Sequence, residues 1–420
     1  MTAIPVDPSD LAAGVVPERD PEQLNPLDAP AEGVPHVIDT RHALDRAVAA
    51  LRSGSGPVAV DAERASGFRY GQRAFLVQLR REGAGTLLID PEAFDDLRDV
   101  DEALRGVEWI LHAAHQDLPC LHELGMSPDA LFDTELAARL TGLPRVGLGP
   151  VVASMLGLKL AKEHSAADWS TRPLPAPWLN YAALDVEVLI PLRHEMAALL
   201  EGQGKTEIAA QEFEAERVAP DPAPRTDPWR RTHGLHSLRK PAQLAAVREL
   251  WAEREHLAEH KDRAPGRLLP DSAIIAAARA MPRTVPQLLN TSGFVGRTAA
   301  KEGPRWIAAL QRARTTQDLP PLHVKSTTPP PPRSWAERHP QAHARYETAK
   351  RRLDREAERL GMPRENLLAP ALLKQICFAP PKPVDLDTIR SELARLGARP
   401  WQVDRTSAVL TVAFLDPDRD

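Results

Sequence analysis

Four carboxylates and one phenol, set in three short stretches, carry the chemistry this sequence could do. Asp61 and Glu63 stand two apart in PVAVDAE, Asp117 sits in WILHAAHQDL, and Tyr181 and Asp185 stand four apart in YAALDVEVL. No Cys or His accompanies them at metal-ligand spacing, and hard oxygen donors alone favour Mg²⁺ or Mn²⁺ over Zn²⁺. Two such ions about 4 Å apart suit in-line attack at a phosphodiester, one activating water and the other relieving charge on the departing oxygen. On a strand, residues i and i+2 face one side, so Asp61 and Glu63 can converge on one point. Two like charges held together need a cation or a raised pKa. Arg64 and Arg69 offer plain ion pairing as the alternative. Tyr181 and Asp185 project from one helical face, beside the apolar stripe Leu184, Val188, Leu189 and Leu192. An acid on the edge of such a stripe is either paired within the core or lines a site.

The elements that must position these groups follow from the apolar pattern. His42–Leu51 has helical spacing and ends in a Gly-Ser-Gly-Pro turn. Val58–Val60 reads as a short strand ending at Asp61, followed by strands at 74–79 and 86–89 and a helix from Glu92 to about Leu104. The strand Trp109–His112 leads into a helix that should carry Asp117, and the chain is then mainly helical to about Gln203. Strands first with helices interleaved imply a mixed sheet covered on both faces, an α/β domain over 37–214.

Flanking this domain, residues 1–36 read as a disordered acidic tail: the first 35 residues hold seven prolines and show no apolar period. A linker at 215–228 carries Pro220, Pro222 and Pro224. An all-helical block follows at 229–314, then a Pro-rich linker at 315–334, then a second helical block at 335–420 that closes with a strand-like run, Ser407–Val412. The helical blocks resemble each other, since Ala264-Pro265-Gly266-Arg267-Leu268-Leu269 returns as Met362-Pro363-Arg364-Glu365-Asn366-Leu367-Leu368.

With 420 residues the chain is long enough for two to four domains, and 43% hydrophobic residues suffice for real cores. Its two cysteines, Cys120 and Cys377, lie far apart and offer no disulfide framework, so a reducing cytoplasm is expected. No stretch approaches the roughly 20 apolar residues of a membrane span, and nothing in the sequence calls for an obligate protein partner. The net charge of −5 hides an asymmetry: Trp229–Arg314 holds sixteen Lys and Arg against seven Asp and Glu. A basic block of this kind suits an anionic partner. Arg230, Arg231, Arg239, Lys240, Arg263 and Arg267 could follow a phosphate backbone, and few aromatics interleave with them for base stacking.

In order, Asp-x-Glu, His-x-x-x-x-Asp-Leu and Tyr-x-x-x-Asp resemble the three motifs of the DEDD exonuclease superfamily, tyrosine subclass. FLVQL at 75–79, LIDP at 88–91, FDT at 132–134 and DWSTRPL at 168–174 are similar to bacterial ribonuclease D, the basic block resembles its HRDC domain, and the last block a second HRDC-like domain. The resemblance implies a ribonuclease H-like exonuclease domain followed by two all-α HRDC-type domains. By motif, Asp61 would bridge two Mg²⁺ or Mn²⁺ ions, Glu63 and Asp185 would complete the first site, Asp117 would reach the second, and Tyr181 would position the attacking water. Ala62 stands where the family often has Thr, and Arg64 where it often has Phe, which puts contacts to the terminal nucleotide in question.

The resemblance further implies a 3′→5′ exoribonuclease that releases 5′-mononucleotides from RNA with a free 3′ end, tRNA precursors included. A DNA-directed exonuclease and an inert nucleic-acid-binding scaffold are the alternatives. Lys162, Trp169 and Arg172 occupy a polar loop before the last motif that could hold a phosphate. His112 and His115 read as a strand end and a helix start rather than bases, and Asp133 as a helix start rather than a fifth ligand.

Overall fold

The computed structural model describes residues 6–17, 19–161, 164, 166–324 and 328–417. Helix α1 (Pro8–Ala12) and strand β1 (Asn25–Leu27) precede the sheet proper, whose strands are β2 (Val37–Ile38), β3 (Ser55–Arg64), β4 (Ala74–Glu82), β5 (Gly85–Ile89), β6 (Glu108–Leu111) and β7 (Ala130–Asp133). They lie in the order β2-β5-β4-β3-β6-β7. β3 pairs antiparallel with β4 and parallel with β6, so the sheet is mixed. Val58, Val60, Leu76, Leu79, Ile110 and Leu111 are fully buried, as expected of strands covered on both faces. β3 runs on to Arg64, so Asp61 and Glu63 both lie within it rather than beyond a three-residue strand.

One face of the sheet packs against α2 (Arg41–Ser53), α3 (Arg98–Ala103) and α4 (Leu118–Glu123) through Leu44, Val48, Leu51, Val100 and Leu121. The other carries α5 (Thr134–Leu140), α6 (Leu148–Leu156) and the 27-residue α7 (Ala176–Gly202), whose Leu184, Val188, Leu192 and Met196 are buried. The helix expected over 92–104 is shorter, beginning at Arg98 after a single tight turn at Pro91–Ala93.

The N-terminal segment, expected to be disordered, is instead ordered in its described part. β1 pairs in parallel with β8 (Leu158–Leu160), and Val6, Leu11 and Leu27 are buried. These three side chains are too widely spaced to show a period, and the core they join is built mainly from segments distant in sequence. The chain passes so close to α7 that a Cβ on Gly202 would fall 1.8 Å from the Leu11 carbonyl oxygen.

After α8 (Thr206–Arg217) comes the basic block: α9 (Pro241–His260), the one-turn α10 (Pro265–Leu268), α11 (Asp271–Ala280), α12 (Val285–Leu289) and α13 (Gly296–Thr315), closed around Leu244, Leu250, Ile274, Trp306 and Leu310. The last block has α14 (Trp335–Arg338), α15 (Pro340–Leu360), the one-turn α16 (Arg364–Leu367), α17 (Pro370–Phe378), α18 (Leu386–Arg395) and α19 (Pro400–Leu415). Each block thus repeats a long helix, a single turn and a nine- or ten-residue helix.

Ser407–Val412, expected to be a strand, lies inside α19. Thr406 and Thr411 return their hydroxyls to the carbonyls four residues back, at 2.7 and 2.8 Å, which lets β-branched residues sit in a buried helix. The last block shares its core with α7 and α8: Arg399 and the Trp401 indole N–H (2.7 Å) both bind the buried Glu212. Among the described residues no helix is long and apolar enough to cross a membrane.

Candidate active site and metal centre

The site is built where the middle of the sheet meets α7. Carboxylate oxygens of Asp61, Glu63 and Asp185 lie within 4.8 Å of one another; Glu63 and Asp185 are each only 7% exposed. Asp117 stands just outside this group, hydrogen-bonded with Asp61. It is placed not inside a helix, as expected, but at the cap before α4, following a turn in which Ala113 has the left-handed φ of 65°. Tyr181, one turn before Asp185 on α7, hydrogen-bonds with it. All five line one cavity of about 810 Å³.

The electrostatics are those of carboxylates crowded together in a buried setting. Burial, then repulsion by Asp61, Asp185 and Asp117, holds Glu63 well above the ordinary carboxylate range. Burial and then Asp61 do the same to Asp117, and burial raises Asp61. The nearby cation is Arg64, 3.2 Å from Asp117 and bound to the Gln116 carbonyl. It pairs with Asp117, and its pull on Asp61 and Glu63 is outweighed by their burial, so this ion pair does not account for the cluster. Acids held this way either keep protons or bind a metal; a cluster of hard oxygens fits Mg²⁺ or Mn²⁺. Burial and the neighbouring carboxylates push the Tyr181 phenol up, so it remains a hydrogen-bond donor.

A carboxylate beneath the site holds its backbone. Asp133 accepts from the amides of Ala113 (3.1 Å), Ala114 (2.6 Å), Glu135 (2.7 Å) and Leu136 (3.0 Å); it caps α5 and fixes the turn leading to Asp117. His112 is tied to Thr134 at 2.8 Å and burial lowers its pKa. Glu216, on α8, accepts from the His115 amide at 3.1 Å. Burial and then Asp133 raise it to about 8. No motif pointed to Glu216, because its neighbours are a hundred residues away.

Two residues expected to touch nucleic acid are used internally. Trp169 is fully buried in an aromatic cluster with Trp178 and Tyr181. Arg172 forks onto both oxygens of Asp90, at 2.6 and 2.7 Å, and onto three backbone carbonyls. A polar loop sequence does not reveal that its arginine is satisfied by the domain beneath it. Lys162 lies outside the described residues.

In the basic block, Arg231, Arg239, Lys240 and Arg263 are exposed, whereas Arg230 stacks on Trp229 and pairs with Asp227. Arg230, Arg231 and Arg239 share a cleft of about 510 Å³ with His233, His236 and His323. Arg267 turns to the α/β domain instead. Its Nε donates to the Gly67 carbonyl at 2.6 Å, and its guanidinium lies 4.0 Å from the Phe68 ring. Gly67 and Phe68 belong to the loop between β3 and β4 that walls the cavity.

Comparison with known proteins agrees with this architecture. Residues 35–201 match the family model for a 3′-5′ exonuclease, 243–310 the HRDC domain, and 328–414 a 3′ to 5′ exonuclease C-terminal domain. By these matches the chain is a protein with a 3′-5′ exonuclease-type domain followed by helical accessory domains. Ribonuclease D of Pseudomonas paraeruginosa is 30% identical over 310 residues, covering 72% of this chain and 79% of its own. Ribonuclease D of Gluconacetobacter diazotrophicus is 34% identical over 241 residues. The chain belongs to the ribonuclease D family. Its matches span 56–59% of the length of the first curated relatives. A crystal structure of a protein from Bifidobacterium adolescentis superimposes with a TM-score of 0.87 at 39% identity, covering 94% of this chain and all of that one. Escherichia coli RNase D, at 24% identity and a TM-score of 0.64, shares the fold.

Proposed function

We propose that the chain is a two-metal 3′→5′ exoribonuclease that releases 5′-mononucleotides, acting in the cytoplasm on tRNA precursors and other stable RNAs with a free 3′ end. The observation that carries the reading is the convergence of Asp61, Glu63 and Asp185 oxygens within 4.8 Å, beside Tyr181 and in an open cavity. Asp61, hydrogen-bonded with Asp117, would help to hold both ions; Glu63 and Asp185 would complete one site and Asp117 would contribute to the other. Bound Mg²⁺ or Mn²⁺ would activate water and relieve charge on the departing oxygen.

The chain's own groups do the rest. The Tyr181 phenol, kept protonated, orients a water next to Asp185. Phe68 offers a ring on the cavity wall against which a terminal base can rest. The exposed cations Arg231, Arg239, Lys240 and Arg263 add salt-dependent affinity for the phosphate backbone.

The test is degradation of 5′-labelled single-stranded RNA and DNA of one sequence with Mg²⁺. Release of mononucleotides from the RNA 3′ end, lost in Asp61→Ala and Asp185→Asn, is expected. Persistence of that release in either variant would overturn the site, and equal degradation of DNA would overturn the substrate. A 3′-extended tRNA compared with an unstructured RNA checks the natural class.

A further inference from the structure

We propose that the catalytic cavity has a second mouth, lined by Arg145 and Lys159 and walled by the N-terminal arm, which takes a phosphate monoester. The proposal rests on the reading of the site as an exonuclease. Tyr181, Asp185 and Leu148 line the 810 Å³ cavity and also a second one of about 290 Å³ that contains Arg145, Lys159 and Leu24. Arg145 and Leu24 in turn line a cleft of about 660 Å³ along the arm. The three spaces therefore adjoin one another, with Tyr181, Asp185 and Leu148 as the shared wall of the first two.

The arm is fastened along these spaces. β1 lies in register on β8, with Pro26 opposite Lys159. Asn180, the residue before Tyr181, donates to the Asp28 carbonyl at 2.8 Å, and Glu187, two residues after Asp185, accepts from the Ala31 amide at 3.2 Å. The Arg19 Nε is held by the Ser154 carbonyl at 2.8 Å. Arg145 and Lys159 are exposed, and no acid among the described residues pairs with either. Among the described residues the acid lining the 290 Å³ cavity is Asp185.

Charge distinguishes these spaces. A phosphodiester carries one negative charge; hydrolysis leaves a terminal phosphate with a second ionisation near pH 6 and thus close to two charges at neutral pH. The bond broken is that from phosphorus to the departing 3′ oxygen; water supplies the new oxygen and the proton that the 3′ hydroxyl keeps. The gained charge appears beside Glu63 and Asp185, and two unpaired cations lie past the shared wall to receive it.

Titration calorimetry with Mg²⁺ and adenosine 5′-monophosphate tests the site directly. Contacts to two exposed cations should make Arg145→Ala/Lys159→Ala bind the monophosphate roughly ten-fold more weakly than the wild type. Adenosine, which lacks the phosphate, should not distinguish the two proteins, and the charge-keeping Arg145→Lys/Lys159→Arg should restore binding. Both side chains are exposed and unpaired, so an unchanged melting temperature is expected. Unchanged monophosphate affinity in the alanine variant of a chain that degrades RNA would overturn the second mouth. So would equal weakening of a phosphorothioate oligonucleotide, which would assign these cations to the incoming strand. Cation-dependent monophosphate binding in a chain that degrades no nucleic acid would overturn the proposed function and leave the site standing.

Discussion

Arg73, on the loop that walls the acid-lined cavity, meets both oxygens of Asp262 in the first helical block, at 3.0 and 2.9 Å. Asp262 also accepts from the Tyr70 amide and from Arg69, each at 3.3 Å, and Ala264 donates to the Phe68 carbonyl at 2.9 Å. The helical block thus holds residues 67–73, the stretch that includes Phe68. Each ion pair is about one-third exposed, so each contributes about 1 kcal/mol or less, yet they act together on one loop. Asp262→Ala should raise KM on RNA roughly three- to ten-fold while kcat stays within about two-fold. It should also open the loop to limited proteolysis. Unchanged KM and an unchanged cleavage pattern would refute the coupling.

The acid cluster predicts opposite effects on stability and activity. With chelator present, Asp185→Asn removes one of several repelling buried carboxylates and should raise the melting temperature by a few degrees. Added Mg²⁺ should stabilise the wild type, by about 2.7 kcal/mol at a hundred times its dissociation constant, and the variant far less. Calorimetric scans with and without Mg²⁺ read this without any substrate. Equal Mg²⁺ stabilisation of both proteins would remove Asp185 from the metal site.

The acids were legible in the sequence because their relation to one another is set locally. Asp61 and Glu63 share a strand face at i+2, and Tyr181 and Asp185 share a helix face at i+4, so spacing alone brings them together. Asp117 was legible as a motif residue but not in its setting, since its turn depends on Asp133 from another strand. Glu216, the anchorage of the arm at Asn180 and Glu187, and the internal use of Arg172 by Asp90 all depend on partners about eighty or more residues away. Ser407–Val412 shows the other limit: a short β-branched apolar run fits a buried strand or a buried helix equally well, and here the hydroxyls of Thr406 and Thr411 accommodate the helix.

Lys205 joins the nuclease domain to the last block. Its Nζ donates to the carbonyls of Leu140 at 2.6 Å and Gly361 at 3.2 Å, and burial depresses its pKa from 10.5 to about 8. The unfolded chain therefore binds this proton more tightly, so this group makes stability rise as pH climbs from about 8 to 10.5. Lys205→Met should flatten that rise. At pH 7 it should cost about 1–3 kcal/mol, because two carbonyls lose their donor. Urea unfolding at pH 7 and pH 10 checks both effects; an unchanged slope between them would show that the amine is already solvated.

Glu216 gives the opposite slope. Its carboxyl, raised from 4.5 to about 8, is protonated at neutral pH against Asp133, while its other oxygen holds the His115 amide. The folded chain binds this proton more tightly than the unfolded one, so the contribution is complete below about 4.5 and is lost as pH rises through 8. Glu216→Gln keeps a donor toward Asp133 and should remove this decline while leaving kcat near that of the wild type. Glu216→Ala leaves the turn that carries Asp117 with one tether fewer and should lower kcat about ten-fold, with KM little changed, as a small displacement of a positioned group does. Stability profiles from pH 5 to 9 and steady-state kinetics of the two variants separate these effects. Equal kcat in Glu216→Ala and the wild type would confine Glu216 to packing and leave the aim of Asp117 to Asp133 alone.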